Sequence, residues 1–465
     1  MGRIKPEQYM VTYNEELGVV YAARKGKVKT TTPEHARAIK GCLEQYFEGK
    51  LSGSDEEKLE CYMEDSFGNT EDLPIAKVQD LTDRKVFRRI VLLVANECNL
   101  SCKYCYAHGG SYGVESQRML PNEAETYLRE LLCEKYRYVE NVTFFGGEPT
   151  LCPDTIRRVC EFFESCVKNG TFEKMPVFLM VSNGTLIDEM MAEIIHRFHI
   201  GVTVSVDGPP EINDLLRVDA AGNGAFSRAS RGIENLMNAG SPPILLEATY
   251  TMRHKELGYT KEGIRNYLAD HFQVKNVVVA DCTSGGMDEQ LVYTDWDIHT
   301  GENGEMMTEE IRYAVDCLRQ TEISPIGCDA GFGTILIMPN GDIYPCHSFL
   351  GHSEYRMACF REGHFDFSDY EKVLQKFINL SKFQNSRCTD CWAKAVCLLC
   401  PAGMLLEKDA ECISANCHTR REAQRYAILK CAENGLKRKK ERGESDVTGS
   451  VKSGIEYARN GADRV

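Results

Sequence analysis

Residues 89–105, RIVLLVANECNLSCKYC, join a short apolar run to three closely spaced cysteines. The run 89–94 is apolar and rich in β-branched side chains, which predicts a buried strand. Cys98, Cys102 and Cys105 follow it with the spacing CxxxCxxC. Three thiolates can hold three irons of a [4Fe–4S] cube and leave the fourth iron open to another ligand. A structural role for three buried thiols is the alternative. Because β/α barrels carry their chemistry at the C-terminal ends of strands, we predict an iron–sulfur site here.

Further strand-like runs follow the first one and alternate with segments of helical length. The runs lie at 141–145, 177–181, 201–206, 244–251 and 275–280, and the helical segments near 121–137, 153–169, 187–198, 226–239 and 260–271. Strands connected in this way pair in parallel through right-handed crossovers. Six strands are fewer than the eight of a usual closed barrel, so the pattern predicts an α/β domain with a parallel sheet of six strands.

A glycine-rich turn with a carboxylate follows the second strand. Gly146, Gly147 and Glu148 precede Pro149 and Thr150. Glycines allow backbone to approach a ligand closely, and a carboxylate can receive an ammonium group. An ordinary turn is the alternative, but the position after a strand and shortly after the cysteine group favours a binding role.

Polar residues also follow the next two strands. Ser182 and Asn183 come after the third strand, and Ser205 and Asp207 after the fourth. These side chains suit recognition of hydroxyl and carboxylate groups, and they are equally common in ordinary turns. Arg217 lies shortly after Asp207 and could bind a carboxylate; a surface ion pair is its alternative.

The C-terminal third contains a second group of cysteines. Its members are Cys328, Cys346, Cys388, Cys391, Cys397, Cys400, Cys412 and Cys417. An Asn340-Gly341 pair between apolar residues predicts a hairpin, which would bring Cys328 back near Cys346. Paired CxxC motifs also occur in zinc ribbons. A zinc site needs only four ligands, however, and at least seven cysteines are grouped here, which favours iron–sulfur clusters.

These motifs resemble those of the radical S-adenosylmethionine (SAM) enzymes with a C-terminal SPASM extension, over roughly residues 86–431. The first three cysteines match the family's cluster motif, and Gly146 to Pro149 resembles its GGEP motif beside the SAM amino group. The resemblance implies that Tyr104 packs near the adenine. It further implies that the SAM ribose and carboxylate lie near Ser182, Asn183, Ser205, Asp207 and Arg217. It also implies a partial (β/α)6 barrel.

The SPASM resemblance implies two auxiliary [4Fe–4S] clusters, and therefore three clusters in all. The first auxiliary cluster would take Cys328, Cys346 and Cys400, and the second Cys388, Cys391, Cys397 and Cys417. The last spacing, from Cys397 to Cys400, is one residue shorter than is usual in the family. Two fully thiolate-bound cubes need eight cysteines, and the match supplies seven. Related enzymes with eight ligands have a cysteine where this chain has Glu322. Cys317 or Cys412 could fill the place; otherwise one iron is open to a substrate thiolate.

Composition excludes some classes of function. The 465-residue chain has a net charge of −14, which argues against nucleic acid as its main partner. The sequence has no apparent leader and no apolar run of membrane-spanning length, so we expect a cytoplasmic protein without membrane contact. The chain contains 21 cysteines, and the grouped ones indicate metal ligands rather than disulfides.

The first 85 residues precede the barrel. Runs at 9–13 and 19–22 flank a probable turn and predict a hairpin, and two helices are predicted near 33–48 and 54–64. These elements fit a small winged-helix-like module. The resemblance to peptide-modifying enzymes implies that such a module binds a precursor-peptide leader by adding it to a sheet edge; a structural cap on the barrel is the alternative. The predicted domains are this module at 1–85, the barrel at 86–300, the SPASM domain at 301–440 and a flexible tail at 441–465.

The resemblance implies a maturase of ribosomally made, cysteine-containing precursor peptides. The reduced first cluster would cleave SAM to a 5′-deoxyadenosyl radical, which removes a hydrogen from the peptide before a cysteine thioether forms. Electrons would come from an external donor such as flavodoxin or ferredoxin. The alternatives are formylglycine formation of the anaerobic sulfatase-maturase type, a carbon–carbon crosslink or an epimerisation. A non-catalytic iron–sulfur carrier is an alternative of a different class, which the GGEP-like motif disfavours.

Overall fold

The computed structural model describes residues 4–68, 70–77, 86–133, 135–283, 286, 288–293, 309–407 and 410–441. Its contacts divide the chain into two compact units. The barrel unit contains residues 81–295 and 329–376, and the second unit, here called the terminal unit, contains 1–80, 296–328 and 377–465. The predicted domain limits stay a prediction. The predicted tail from 442 onward lies outside the described residues.

The barrel unit is built on one sheet whose central strands are parallel and follow one another in chain order. These strands are β4 (Val86–Ala95), β5 (Tyr138–Gly146), β6 (Val177–Ser182), β7 (Gly201–Ser205), β8 (Leu245–Tyr250) and β9 (Val277–Asp281). Each pairs in parallel with the next. Sequential parallel pairing is the order of a β/α barrel, so the predicted α/β fold with six parallel strands is confirmed.

Helices connect these strands, and their apolar faces cover the sheet. They are α3 (Pro121–Leu132), α4 (Pro153–Lys168), α5 (Glu189–Arg197), α6 (Pro210–Leu216), α7 (Phe226–Asn238), α8 (Met252–Glu256) and α9 (Lys261–Phe272). Asp188 caps α5, since its carboxylate accepts a hydrogen bond from Met191 N at 2.8 Å. Along β8 the residues alternate between half-buried and buried. The half-buried side chains therefore face the interior of the barrel.

A hairpin extends the sheet beside its first parallel strand. It comprises β10 (Thr334–Ile337) and β11 (Ile343–Tyr344), which pair antiparallel around the predicted Asn340-Gly341 turn. Gly341 has φ +79°, a left-handed conformation that favours glycine. β10 pairs in parallel with β4, so the hairpin belongs to the barrel sheet. A small ribbon, β12 (Cys359–Arg361) with β13 (His364–Asp366), follows in the same unit.

The terminal unit begins with a three-stranded antiparallel sheet. Its strands are β1 (Tyr9–Tyr13), β2 (Gly18–Ala22) and β3 (Lys27–Thr31), with β2 in the centre. The helices α1 (Pro33–Phe47) and α2 (Gly53–Phe67) follow, which confirms the predicted hairpin and both helices. Thr32 caps α1 by accepting from His35 N. Val11 and Val20 share a buried apolar cluster with α1 and α2.

The opposite face of this small sheet is covered by later parts of the chain. Met10 and Tyr21 share a second buried cluster with residues of α10 (Glu309–Cys317) and of α13 (Ala410–Glu441). Between these helices in the sequence come α11 (Tyr370–Ile378) and α12 (Pro401–Leu405). No helix of the described residues is both long and apolar enough to cross a membrane.

Candidate active site

The three cysteines of the first group lie in the loop that follows β4. The thiol of Cys98 accepts a hydrogen bond from Leu100 N at 3.3 Å. Burial raises the pKa of Cys98 to about 12, with further contributions from Glu148, Cys102 and Cys105. Burial also raises the pKa of Cys102, and the charge of Cys105 adds to the rise. The thiols are therefore close enough to repel one another as thiolates. A cationic cluster core would relieve that repulsion, so the three residues fit a shared [4Fe–4S] cube.

Gly146 and Gly147 bring the end of β5 against this loop. Gly146 has φ +154°, and a Cβ there would lie 2.2 Å from the Ala95 carbonyl oxygen. A Cβ on Gly147 would lie 2.3 Å from the Glu97 carbonyl oxygen. Both glycines therefore allow a close approach between the end of β5 and the backbone of the cysteine loop, and the predicted approach to a ligand stays a prediction. These glycines place Glu148 beside Cys98.

Glu148 is fully buried and accepts four hydrogen bonds. Its Oε1 accepts from Thr150 N at 3.0 Å, Thr150 Oγ1 at 2.5 Å and Ser182 Oγ at 2.8 Å. Its Oε2 accepts from Asn183 N at 2.7 Å. Burial raises the pKa of Glu148, whereas these donors lower it. The donors hold the carboxylate in one orientation, and Oε2 keeps capacity for one more donor, such as an ammonium.

Asn183 connects this carboxylate to the cysteine loop. Its Nδ2 lies 3.7 Å from the Cys98 sulfur and donates to Asn99 Oδ1 at 2.9 Å. Its Oδ1 accepts from Thr185 N at 2.9 Å. Four of the predicted site residues therefore lie together at the ends of β4, β5 and β6: Cys98, Glu148, Ser182 and Asn183.

A second buried group contains Tyr104, Asp207 and Arg217. The Tyr104 hydroxyl donates to Asp207 Oδ2 at 2.6 Å and accepts from Arg217 Nη1 at 2.6 Å. Arg217 and Asp207 are also 3.6 Å apart as an ion pair. The charge of Arg217 lowers the pKa of Cys102 against the effect of burial, so this group lies next to the cysteines. The proposed contacts of these three residues with SAM stay predictions.

Asp207 is held by groups that the sequence did not indicate. Its Oδ1 accepts from Thr249 N at 3.0 Å, and its backbone N–H donates to Asn213 Oδ1 at 3.0 Å. The buried ring of His254 lies 2.9 Å from the Asp207 carbonyl oxygen. Burial lowers the pKa of His254, which favours the neutral ring as a hydrogen-bond donor. These contacts fix the turn after β7 that carries Asp207.

The interior of the barrel contains further titratable and aromatic side chains. Glu247 is paired in register with Ser205, and burial raises its pKa. Tyr106 is half exposed, and partial burial raises its pKa, with further contributions from the charges of Cys105, Glu247 and Cys346. The ring of His347 lies 5.9 Å from Tyr106 and 5.7 Å from Phe145, measured between centroids.

Sequence reasoning did not identify Glu247 or His347. Glu247 is the one charged residue in the strand-like run 244–251. A single charge in an otherwise uncharged strand could have identified it as a candidate site residue. His347 directly follows a predicted ligand, Cys346.

Four cysteines of the C-terminal third come together in the terminal unit. Burial raises the pKa of Cys388 to about 11, and the charges of Cys397, Cys391 and Cys417 raise it further. Mutual repulsion of four thiolates again fits a bound cube. These four are the residues assigned by resemblance to the second auxiliary cluster, and the assignment stays a prediction.

The other auxiliary cysteines are distributed over both units. A Cβ on Gly327 would lie 2.0 Å from Leu399 N, so the backbones that carry Cys328 and Cys400 are adjacent. Cys346 belongs to the barrel unit. Glu322 is exposed. The side chain of Cys412 lies outside the described residues.

Cys317 is buried and lies beside Tyr313. Burial raises the pKa of Cys317, whereas the charge of Lys382 and a hydrogen bond with Tyr313 lower it. The charges of Cys397 and Cys328 also reach Tyr313. Cys317 therefore lies close to the predicted auxiliary ligands, but its thiol is already engaged by a phenol.

The buried side chains of Lys382 and Gln424 also lie next to Cys397. Burial raises the pKa of Cys397, and the charges of Lys382 and Arg420 and the amide of Gln424 lower it. Gln424 is fully buried, and neither of its amide atoms makes a well-formed hydrogen bond within the described residues. A buried amide beside a group of thiols fits a bound acceptor such as cluster sulfur.

Within the described part of the chain, no three Cys, His, Asp or Glu side chains converge as ligands of a single metal ion do. The ligands of a cube bind separate irons, and they are therefore spaced more widely than the ligands of one ion.

Comparison with known proteins agrees with this site. The family model of the Radical SAM superfamily matches residues 92–260, which contain the three cysteines and every predicted SAM contact. Residues 92–260 of the chain therefore form a radical SAM domain.

Two curated relatives are maturases by name. A cysteine-type anaerobic sulfatase-maturating enzyme of Clostridium perfringens is 32% identical over 148 residues, covering 30% of this chain and 37% of that protein. The mycofactocin maturase MftC of Mycobacterium tuberculosis is 25% identical over 262 residues, covering 54% of this chain and 61% of that protein. The chain thus spans less than two thirds of the length of either relative.

A solved structure of anSMEcpe with bound AdoMet has the same fold. The superposition has a TM-score of 0.55 at 17% identity and covers 75% of this chain and 95% of the other. The predicted radical SAM fold is confirmed by this likeness.

Proposed function

We propose that this protein is a radical SAM maturase that forms cysteine thioether crosslinks in a ribosomally made precursor peptide. The observation that carries the proposal is the arrangement at the barrel mouth. Cys98, Cys102 and Cys105 lie together there beside the hydrogen-bonded carboxylate of Glu148. The named maturases among its relatives support a peptide as substrate.

The cofactor at this site would be a [4Fe–4S] cluster held by the three thiolates, which together with SAM supplies a 5′-deoxyadenosyl radical when reduced. Glu148 would receive the SAM ammonium on Oε2, since Oε1 is already occupied by three donors. Ser182 and Asn183 keep that carboxylate in place. Tyr104 holds Asp207 and Arg217 in a fixed geometry behind Cys102.

The barrel interior would hold the reacting part of the peptide. Burial lowers the pKa of His347, and the charge of Arg89 lowers it further, so the ring is neutral near neutral pH and can accept a proton from a cysteine thiol. Glu247 faces the same interior and can take up a proton or orient a peptide amide. The aromatic rings of Tyr106 and Phe145 would form an apolar wall of this space.

An open place on an auxiliary cluster would favour the thioether reaction over other radical modifications. Two auxiliary [4Fe–4S] clusters would bring the total to three. Seven candidate thiols serve eight places, and the exposed Glu322 stands where an eighth ligand would be expected. The remaining place would be free for a substrate thiolate, whose pKa falls on binding metal. An external donor such as flavodoxin or ferredoxin would supply electrons.

The N-terminal sheet would bind the leader of the precursor peptide. β3 is an edge strand of the sheet, and an edge strand offers unpaired backbone groups to an added strand. Addition of a leader peptide should therefore slow amide hydrogen exchange in residues 27–31. Unchanged exchange there, with peptide modification intact, would place leader recognition elsewhere.

The test of the proposed function uses anaerobically reconstituted protein with SAM and dithionite. Release of 5′-deoxyadenosine is expected, and its absence would favour a non-catalytic iron–sulfur carrier. Added peptide from a neighbouring cysteine-rich reading frame should lose two hydrogens per crosslink and resist cysteine alkylation.

The sulfatase-maturating relative favours one alternative, formylglycine formation in a sulfatase. This alternative is tested with a sulfatase peptide as substrate. Formylglycine is an aldehyde and reacts with a hydrazine, whereas a thioether does not. Aldehyde formation without any crosslink would replace the thioether proposal.

A further inference from the structure

Lys382 lies in the interior of the terminal unit. It is 1% exposed, and its Nζ donates to the Cys397 carbonyl oxygen at 3.2 Å. The same Nζ lies 5.8 Å from the ring centroid of Tyr313. Its backbone N–H donates to the Pro325 carbonyl oxygen at 2.9 Å. Both the backbone and the ammonium group of Lys382 are therefore fixed by contacts within the unit.

A buried ammonium is costly unless negative charge lies nearby. Among the described residues, no carboxylate forms an ion pair with Lys382; one carbonyl oxygen and one aromatic face are its observed contacts. Burial lowers the pKa of Lys382, whereas the charges of Cys397, Cys317 and Cys388 raise it, because thiolates at these positions stabilise the ammonium. The compensating charge that the fold offers is thus the charge of the auxiliary thiolates.

We propose that Lys382 is a fixed positive charge that raises the reduction potential of the auxiliary cluster bound through Cys388, Cys391, Cys397 and Cys417. This inference rests on the auxiliary clusters of the proposed function. A cluster with four thiolate ligands is anionic, and reduction adds another negative charge. A cation in the protein interior, where charges interact strongly, stabilises the reduced form more than the oxidised form. Lys382 acts on the cluster through its charge alone, since its side chain is not a ligand of the iron.

The test compares full-length Lys382→Met with Lys382→Arg. Methionine retains much of the apolar stem and removes the charge, whereas arginine retains the charge. Lys25→Met is the matched control, because Lys25 also donates to a carbonyl oxygen of the same unit, Thr70 O at 2.5 Å. Each variant also carries alanine in place of the first three cysteines, so that only auxiliary clusters contribute to the signal.

The measurement is a redox titration followed by electron paramagnetic resonance, with iron content determined in parallel. In Lys382→Met, the reduction potential of one of the two auxiliary clusters should fall by at least about 59 mV. For a one-electron couple this corresponds to a tenfold shift toward the oxidised form. Lys382→Arg and Lys25→Met should titrate like the parent protein.

Unchanged potentials in Lys382→Met with full iron content would overturn the inference and leave the auxiliary clusters standing. Absence of auxiliary iron from the parent protein would overturn the proposed clusters themselves. If Lys382→Met folds but loses its cluster, Lys382→Gln is titrated instead. Loss of the cluster from both neutral variants would also overturn the inference, because Lys382 would then be required for assembly rather than for the potential.

Discussion

Glu148→Gln tests the residue that we expect to receive the SAM ammonium. The carboxylate is fully buried and accepts three hydrogen bonds on Oε1 and one on Oε2. A glutamine oxygen can keep the three donors of Oε1. The amide NH2 must then occupy the Oε2 position, where it faces Asn183 N–H as a second donor and presents no charge to an ammonium.

Two effects of this substitution can be estimated. Loss of a hydrogen bond to a charged group costs about 1.5–3 kcal/mol, which corresponds to roughly ten- to hundredfold weaker SAM binding. Leaving the buried Asn183 N–H without an acceptor costs about 1–3 kcal/mol of folding free energy. We therefore expect weaker binding of SAM together with a moderately lower free energy of unfolding.

The assay is isothermal titration of SAM into reconstituted protein, with iron content and urea unfolding measured on the same preparation. Glu97→Gln is the matched control, because Glu97 directly precedes Cys98 and its carboxylate pairs with Arg118. The control should bind SAM like the unaltered protein. If Glu148→Gln binds SAM with unchanged affinity and keeps its iron, the carboxylate does not receive the ammonium.

Three further predictions concern the clusters and their surroundings. Alanine at all three cysteines of the first group should remove about four irons and abolish 5′-deoxyadenosine release; residual release would refute the assignment of Cys98, Cys102 and Cys105. Tyr104→Phe removes the hydroxyl between Asp207 and Arg217, and should lower the free energy of unfolding by about 1–3 kcal/mol in urea titrations, a result contradicted by unchanged stability. Cys317→Ala and Cys412→Ala should leave the iron content unchanged, and loss of a cube in either variant would identify the eighth ligand. A cysteine peptide should alter the electron paramagnetic resonance signal of the auxiliary clusters, whereas its serine counterpart should not.

The alternation of strands and helices was predictable because each strand is a continuous apolar run between helix-length segments. All six parallel strands form where the runs predict them, from β4 to β9. The Asn340-Gly341 hairpin was equally clear from its turn residues. Its pairing with β4 was not, because pairing between distant strands leaves no local signal in the sequence.

The candidate site was predictable in its members but less so in their roles. The sequence indicated Tyr104 for its ring, whereas its hydroxyl also links Asp207 to Arg217. Gly146 was expected to give space to a ligand, and the space it gives in the structure is occupied by the Ala95 carbonyl group. Both roles depend on residues far away in the sequence. Lys382 carried no signal at all, since a single lysine in a mixed polar segment normally lies on the surface.

The small sheet of β1 to β3 and the helix α13 lie far apart in the sequence but contribute to one apolar core, and the sheet is synthesised first. Tyr21 of β2 packs edge-on against Trp392 at a centroid distance of 6.5 Å, and the same cluster includes Ile428. During synthesis one apolar face of this sheet stays uncovered until α13 has left the ribosome. Contacts between such distant residues form late and leave partly folded chains prone to aggregate. Expression at low temperature or with chaperones should therefore increase the yield of native protein, and chains interrupted after the barrel should be recovered mainly as aggregates.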